Sequence, residues 1–234
     1  MKILDLFSGV GGFSVGLEKA GMETVAFCEI DKKAKLVLQK HWPSVPIFED
    51  VEKLKGEDVG TVDVICGGFP CQDLSTAGTG KGLAGARSGL WFEFQRLINE
   101  IKPKYAIIEN VSVLRSRGLE TVLRSLAEIG YDAQWHCISA ASIGAPHQRD
   151  RVWIIAYPNV SLSKGRSLSS RIHEEHAIVV SKDWWKSSSC LHRVDDGVPK
   201  RVDRLKQLGN AVVPLIPELI GRAIMKVEND RQIG

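Results

Sequence analysis

The sequence predicts an α/β protein built on a doubly wound, mostly parallel sheet. Two observations carry this expectation. Short β-rich runs alternate with helix-like stretches from the N-terminus to about residue 158, the pattern that strand–helix–strand units leave in a chain. Several runs are apolar almost throughout, as in Val62-Asp63-Val64-Ile65-Cys66 and Tyr105-Ala106-Ile107-Ile108. Strands covered by helices on both faces read that way.

The elements follow in order. Strands are expected at Lys2–Phe7, Thr24–Ile30, a short Pro46–Phe48, Val62–Gly67, Tyr105–Asn110, Asp132–Ser139 and Arg151–Tyr157. Helices are expected at Gly12–Ala20, Lys32–His41, Leu90–Ile101 and Leu119–Ile129, the last stopped by Gly130. After Pro158 the periodicity lapses into a stretch rich in Ser, Lys, Arg and His. A second ordered piece begins near Val202 and ends in a helix after Pro214 and Pro217. The expected division is 1–158, a small segment 159–200, and a C-terminal segment 201–234.

A chain of 234 residues can build one sizeable core with a small appendage. No apolar run approaches the roughly 18 residues of a membrane span, so no membrane partner is expected. Met1 leads straight into a strand-like run, and no secretory signal is readable. The five cysteines are odd in number and their spacing fits no disulfide framework, which favours a reducing, cytoplasmic compartment; no C-x-x-C pair is present. The net charge of +3 is unevenly spread: residues 159–210 carry +4 and the remainder −1. A basic segment on a neutral body suits phosphate contacts, although a solvated surface loop reads the same way.

Chemistry-bearing residues gather where strands should end. The first strand runs into Phe7-Ser8-Gly9-Val10-Gly11-Gly12, a turn in which glycines let backbone approach a ligand. It is not the full dinucleotide fingerprint, because Ser14 stands where the third glycine belongs. Glu29 follows the second strand, about 20 residues on, where a carboxylate can bond ribose hydroxyls. Asp50 follows the third. Together these favour an adenosine-containing ligand and leave NAD and S-adenosylmethionine both open. Gly78-Thr79-Gly80-Lys81-Gly82 fails as a P-loop, since Gly82 replaces the required Ser or Thr.

The fourth strand ends in Gly67-Gly68-Phe69-Pro70-Cys71-Gln72, with a Gly/Ser/Thr-rich stretch after it. Cys28, Cys66 and Cys137 sit inside apolar runs and read as small buried hydrophobes. Cys71 lies beyond a strand, after Pro70 and before a polar loop, which points to a reactive thiol. Glu109 at the end of the fifth strand would stand at the same sheet edge, giving a nucleophile and a proton donor. Arg149 and Arg151 open the next strand and suit a carbonyl or a phosphate. No metal is expected. His173, His176, Cys190 and His192 match no standard zinc spacing.

Five blocks then appear in order: Asp5-Leu6-Phe7-Ser8-Gly9-Val10-Gly11-Gly12, Gly67 to Ser75, Glu109-Asn110-Val111, Gln148-Arg149-Asp150-Arg151 and Gly209-Asn210-Ala211-Val212. In this order they resemble the C5-cytosine DNA methyltransferase family, and the compactness resembles its phage and prophage members. The resemblance implies the sheet of S-adenosylmethionine-dependent methyltransferases, S-adenosylmethionine as cofactor (leaving as S-adenosylhomocysteine), and double-stranded DNA as partner. It implies a chain working as a monomer in the cytoplasm of a bacterial or phage-infected cell, at the nucleoid. It also implies roles. Cys71 would attack cytosine C6, Glu109 would bond N3 and the exocyclic amine, and Arg151 would hold O2 with Arg149 in support. Phe7, Ser8, Gly9, Val10, Gly11 and Gly12 would pack on the cofactor. Glu29 would bind its ribose and Asp50 its adenine amine, with Ile30 and Val51 also at the cofactor. Leu90, Asn210 and Val212 would complete the pocket. The family's recognition domain is here reduced to about residues 159–208. RNA as substrate, or a DNA-binding subunit needing a partner, are the alternative readings.

Overall fold

A computed structural model of the chain describes residues 1–70, 89–145, 147–159, 172 and 211–233. Among these residues seven strands form one sheet in the order β3-β2-β1-β4-β5-β7-β6. The strands are β1 (Lys2–Leu6), β2 (Glu23–Cys28), β3 (Ile47–Phe48), β4 (Val64–Gly67), β5 (Tyr105–Val111), β6 (Tyr131–Ser139) and β7 (Asp150–Pro158). β1 to β5 pair in parallel, while β7 runs antiparallel to both β5 and β6. The doubly wound, mostly parallel sheet read from the sequence is the one observed.

Alternation along each strand sorts the core into two layers. Leu4, Leu6, Ile65, Ala106, Ile108, Val152 and Ile154 face one way. Ile3, Val64, Cys66, Ile107, Trp153 and Ile155 face the other. Each layer needs its own cover of helices, because a sheet of this kind is apolar on both faces.

α3 (Gly89–Ile101) and α5 (Leu119–Glu128) cover the first layer. Trp91, Phe94, Leu97 and Ile98 of α3 recur at helical spacing and are all fully buried. Trp91 Nε1 donates to Ser125 Oγ of α5 at 2.9 Å, so the polar tip of this large side chain is satisfied inside the core. Between these helices stands α4 (Leu114–Arg117), a single turn that the sequence reading did not anticipate. Leu114 anchors it and is fully buried.

α1 (Gly12–Lys19) and α6 (Leu215–Ile233) cover the second layer, with Phe13, Leu17, Ile216, Leu219, Ile220 and Ile224 buried together. The two helices pack closely because Gly16 has no side chain. A Cβ there would strike the carbonyl of Pro214. α6 begins before Pro217, whereas the sequence suggested a start after it. A proline is tolerated there, since N–H groups of a first turn have no intrahelical partner. α2 (Lys32–His41) lies beside β2, its start capped by Asp31 Oδ1, which accepts from Lys33 N at 2.8 Å and Ala34 N at 3.0 Å. No described helix is long and apolar enough to cross a membrane.

Candidate active site

The carboxyl ends of the parallel strands share one edge, and β7 begins there because it runs the other way. Topology therefore brings the glycine turn, Glu29, Asp50, Gly68, Glu109, Arg149 and Arg151 to a single side of the sheet. Ligands of open α/β sheets bind at that edge. Cys71 and Asn210, both singled out in the sequence, lie outside the described residues.

The first half of the site is a cradle built from the glycine turn and Glu29. β1 leaves the sheet through Phe7, whose φ of 53° and ring contact with Phe94 at 6.4 Å turn the chain sharply. The Ser8 hydroxyl donates to the Asp5 carbonyl at 2.6 Å and closes the turn. Gly9 N–H donates to Glu29 Oε2 at 2.7 Å, and Asp31 N–H to Glu29 Oε1 at 2.7 Å. These bonds fix the carboxylate while leaving each oxygen a further lone pair. Gly11, at φ 84°, lies so close to Trp42 that a Cβ would come within 2.7 Å of its ring. Val10 is half-buried between the two glycines.

Beyond β2 and β3 opens a cleft of about 440 Å³ lined by Ile30, Phe48, Asp50 and Leu54, among others. Ile30 is 71 % exposed and forms part of the cleft's apolar lining. Asp50 Oδ1 accepts from Glu52 N–H at 3.0 Å and Oδ2 faces Lys53 at 3.3 Å. Val51 is buried beneath, and Leu90 packs against the same core from the first turn of α3.

Sequence reasoning missed the residue that holds this wall. Arg96 of α3 donates to the carbonyls of Val51 and Leu54 at 2.9 Å each, and pairs with Glu93 at 2.7 Å and Glu100 at 2.8 Å. The i, i+3 and i, i+4 spacing of these three residues was visible, but it reads as an ordinary solvated helix face. Trp42, which ends α2 and lies under Gly11, was missed as well.

The second half is acidic and cationic at once. Glu109 is buried, and its Oε1 meets Arg151 Nε at 2.8 Å. Burial pushes the Glu109 carboxyl above its ordinary value, against the opposing pull of Arg151 and Arg149. Gly68 passes so close that a Cβ on it would lie 2.8 Å from Glu109 Oε2. Asn110, whose role the sequence did not reveal, donates to the Phe69 carbonyl at 3.1 Å and so fixes the backbone two residues before Cys71. Arg149, at φ 39°, donates to the Ala211 carbonyl at 2.7 Å. A Cβ on Gly12 would lie 2.7 Å from the Val212 carbonyl. The chain segment 211–212 thus returns between the glycine turn and the arginine block, which brings Val212 into the cradle.

This fold and edge define an α/β domain with a glycine turn and a buried carboxyl at the carboxyl edge of its sheet. The C-5 cytosine-specific DNA methylase family model matches residues 1–189. The chain belongs to that family. It is similar to the type II methyltransferase M2.BsuMI of Bacillus subtilis, 37 % identical over 67 % of this chain and 42 % of that protein. It is also similar to M.HhaI of Haemophilus parahaemolyticus, 33 % identical over 68 % and 50 %. The chain therefore spans about half the length of the curated relatives it matches. Among solved structures, one described as a DNA modification methyltransferase encoded within an Escherichia coli prophage superposes with a TM-score of 0.68. That likeness covers 98 % of this chain and 99 % of that one at 18 % identity. The S. pombe Dnmt2 methyltransferase gives 0.61 over 76 % and 54 % at 20 % identity. At such identities the likeness is one of fold.

Proposed function

We propose that this chain is a DNA (cytosine-5)-methyltransferase that uses S-adenosylmethionine and forms a covalent bond between Cys71 and cytosine C6. One observation carries the reading. Glu109, a buried carboxyl inclined to keep its proton, lies against Gly68, three residues before Cys71, while Arg151 fixes its orientation.

The cradle suits the cofactor. Glu29 has spare lone pairs for ribose hydroxyls, Asp50 can accept from an adenine amine, and Ile30 offers the apolar face. Phe7, Ser8, Gly9, Val10, Gly11, Gly12, Val51, Leu90, Asn210 and Val212 complete the assignment. When bound, S-adenosylmethionine supplies the methyl group that cytosine C5 takes up.

The chain's own residues make C5 able to take it. Cys71, as thiolate, adds to C6 and forms an S–C6 bond, which shifts the C5–C6 electron pair towards C5. A proton held by Glu109 at N3 stabilises that adduct, and Arg151 holds O2, with Arg149 in support. Loss of the C5 proton then expels Cys71 and restores the ring. C6 is shielded within a duplex, so the base must leave the stack, at a cost of roughly a few kcal/mol. The reading makes duplex DNA the substrate, a monomer the working form, and the cytoplasm the place of action.

The test is transfer of labelled methyl from S-adenosylmethionine to duplex DNA and, in parallel, to RNA, followed by bisulfite sequencing. Conversion-resistant cytosines in DNA, lost in Cys71→Ser while cofactor binding persists, support the reading. Label in RNA alone replaces the substrate. Near-normal turnover by Cys71→Ser sinks the mechanism.

A further inference from the structure

Most arginines in the described residues are occupied. Arg96, Arg124, Arg151, Arg222 and Arg231 each face a carboxylate at 2.6 to 2.8 Å. Arg149 donates to a carbonyl. Arg115 and Arg117 differ. Both are exposed, and neither has a carboxylate partner among the described residues. Among the described residues Arg115 reaches the sulfur of the exposed Cys137, at 3.7 Å. The chain offers no acid from Val111 to Leu119, and the next one, Glu120, is taken by Arg124 at 2.6 Å.

Their place in the fold gives this pair a use. α4 follows directly on β5, the strand that ends with Glu109, and buried Leu114 pins the turn to the core. Val111, Arg151 and Ile138 form one row across β5, β7 and β6. Arg115 touches Cys137, which precedes Ile138 on β6 and shares a row with Val152 and Asn110, the residue after Glu109. With strands about 4.8 Å apart, that row sets Cys137 two strands, or roughly 10 Å, from Asn110 at the same end of the sheet. A base drawn into the site stays tied to its own backbone, so flanking phosphates must pass near this edge. A guanidinium with no carboxylate of its own matches a phosphate, which its planar fork can bond twice.

We propose that Arg115 and Arg117 grip two backbone phosphates beside the target cytosine. This rests on the reading of the chain as a DNA methyltransferase. The pair supplies register and affinity at the catalytic domain itself, where sequence plays no part. That role has particular value in a chain whose recognition segment is short.

The experiment is binding of fluorescent duplex DNA to the full chain across a salt series. The double variant Arg115→Ala/Arg117→Ala lowers the slope of log affinity against log salt by about 1.8, or about 0.9 for each lost phosphate contact. The Arg115→Lys/Arg117→Lys variant keeps most of the slope. Arg124→Ala, which removes an exposed arginine already paired with Glu120, leaves it unchanged. Cofactor titration of every variant shows that the fold persists. A wild-type chain that binds DNA with a slope untouched by the double alanine variant overturns this assignment and leaves the methyltransferase reading intact. A wild-type chain that binds no DNA at any salt overturns both.

Discussion

Glu109 and Arg151 are diagonal neighbours on one face of the antiparallel β5–β7 pair, Glu109 opposite Trp153 and Arg151 opposite Val111, and their side chains meet at 2.8 Å. Each leaves the other poorly matched if it is lost. Arg151→Met strands a buried carboxyl, and breaking such a pair destabilises a fold by on the order of 3 kcal/mol. The sign with pH follows. Glu109 already titrates above its ordinary value, and without Arg151 it rises further, so the folded state holds the proton more tightly than the unfolded chain. Stability is then greatest at low pH and is lost as pH rises through the folded value. Thermal melts of Arg151→Met should fall more steeply from pH 5 to pH 8 than those of the wild type. Glu109→Gln in the same background should remove that excess. A pH-independent deficit counts against the pair.

Gly68 tests the site without replacing a charged residue. Its added Cβ would lie 2.8 Å from Glu109 Oε2, the movable end of a side chain. Gly68→Ala should therefore fold and yet push the carboxyl aside, with kcat reduced on the order of 100-fold, the scale lost when a catalytic group is misplaced. Gly89→Ala, which meets nothing within 4 Å among the described residues, should leave activity unchanged. Equal activity in the two variants would remove Glu109's position from the mechanism.

Much of this was legible in the sequence, for reasons that also mark where legibility ends. Sheet and helices declare themselves because Ile3, Val64 and Ile107 alternate with Leu4, Ile65 and Ile108 between two buried layers. The site residues sit at strand ends, so placing the strands placed Glu29 and Glu109. Contacts made by ordinary surface types were not legible. Arg96 reads as a salt-bridged helix face, and only the structure shows it reaching carbonyls 42 and 45 residues back in the chain. The α4 turn escaped because four residues cannot display a helical period. The return of 211–212 to Arg149 is a contact over 62 residues that no local pattern encodes.

Arg96 leads to a prediction about cofactor affinity. Its guanidinium is what joins the Asp50 loop to α3, the helix whose first turn carries Leu90. Arg96→Lys keeps the charge but cannot reach both carbonyls and both acids at once. KM for S-adenosylmethionine should rise about tenfold, equivalent to one hydrogen bond from a charged group, with kcat far less affected. Glu93→Gln removes only a partly exposed partner and should change KM little. A loss in kcat with KM unchanged would place Arg96 outside the cofactor wall.

Asp5 lies fully buried under the glycine turn, where Ser14 Oγ donates to its Oδ2 at 2.8 Å. Burial outweighs that hydrogen bond and a weaker one from Cys66, and Glu29 adds repulsion, so the carboxyl is pushed up to about 8 from 3.8. A group that binds its proton more tightly when folded stabilises the fold below the unfolded value and loses that contribution as pH rises through the folded one. From about pH 4 to about pH 8 the wild type should lose at most about 1.4 kcal/mol per pH unit from this residue. Asp5→Asn keeps the shape and an acceptor for Ser14 but cannot ionise. Its stability relative to the wild type, read from denaturant melts at pH 5, 7 and 9, should rise across the series. It should be most favourable at pH 9, where the wild type must either bury a charge or open the turn. A difference that stays constant over the series would mean that Asp5 ionises normally, and that water reaches the base of the glycine turn.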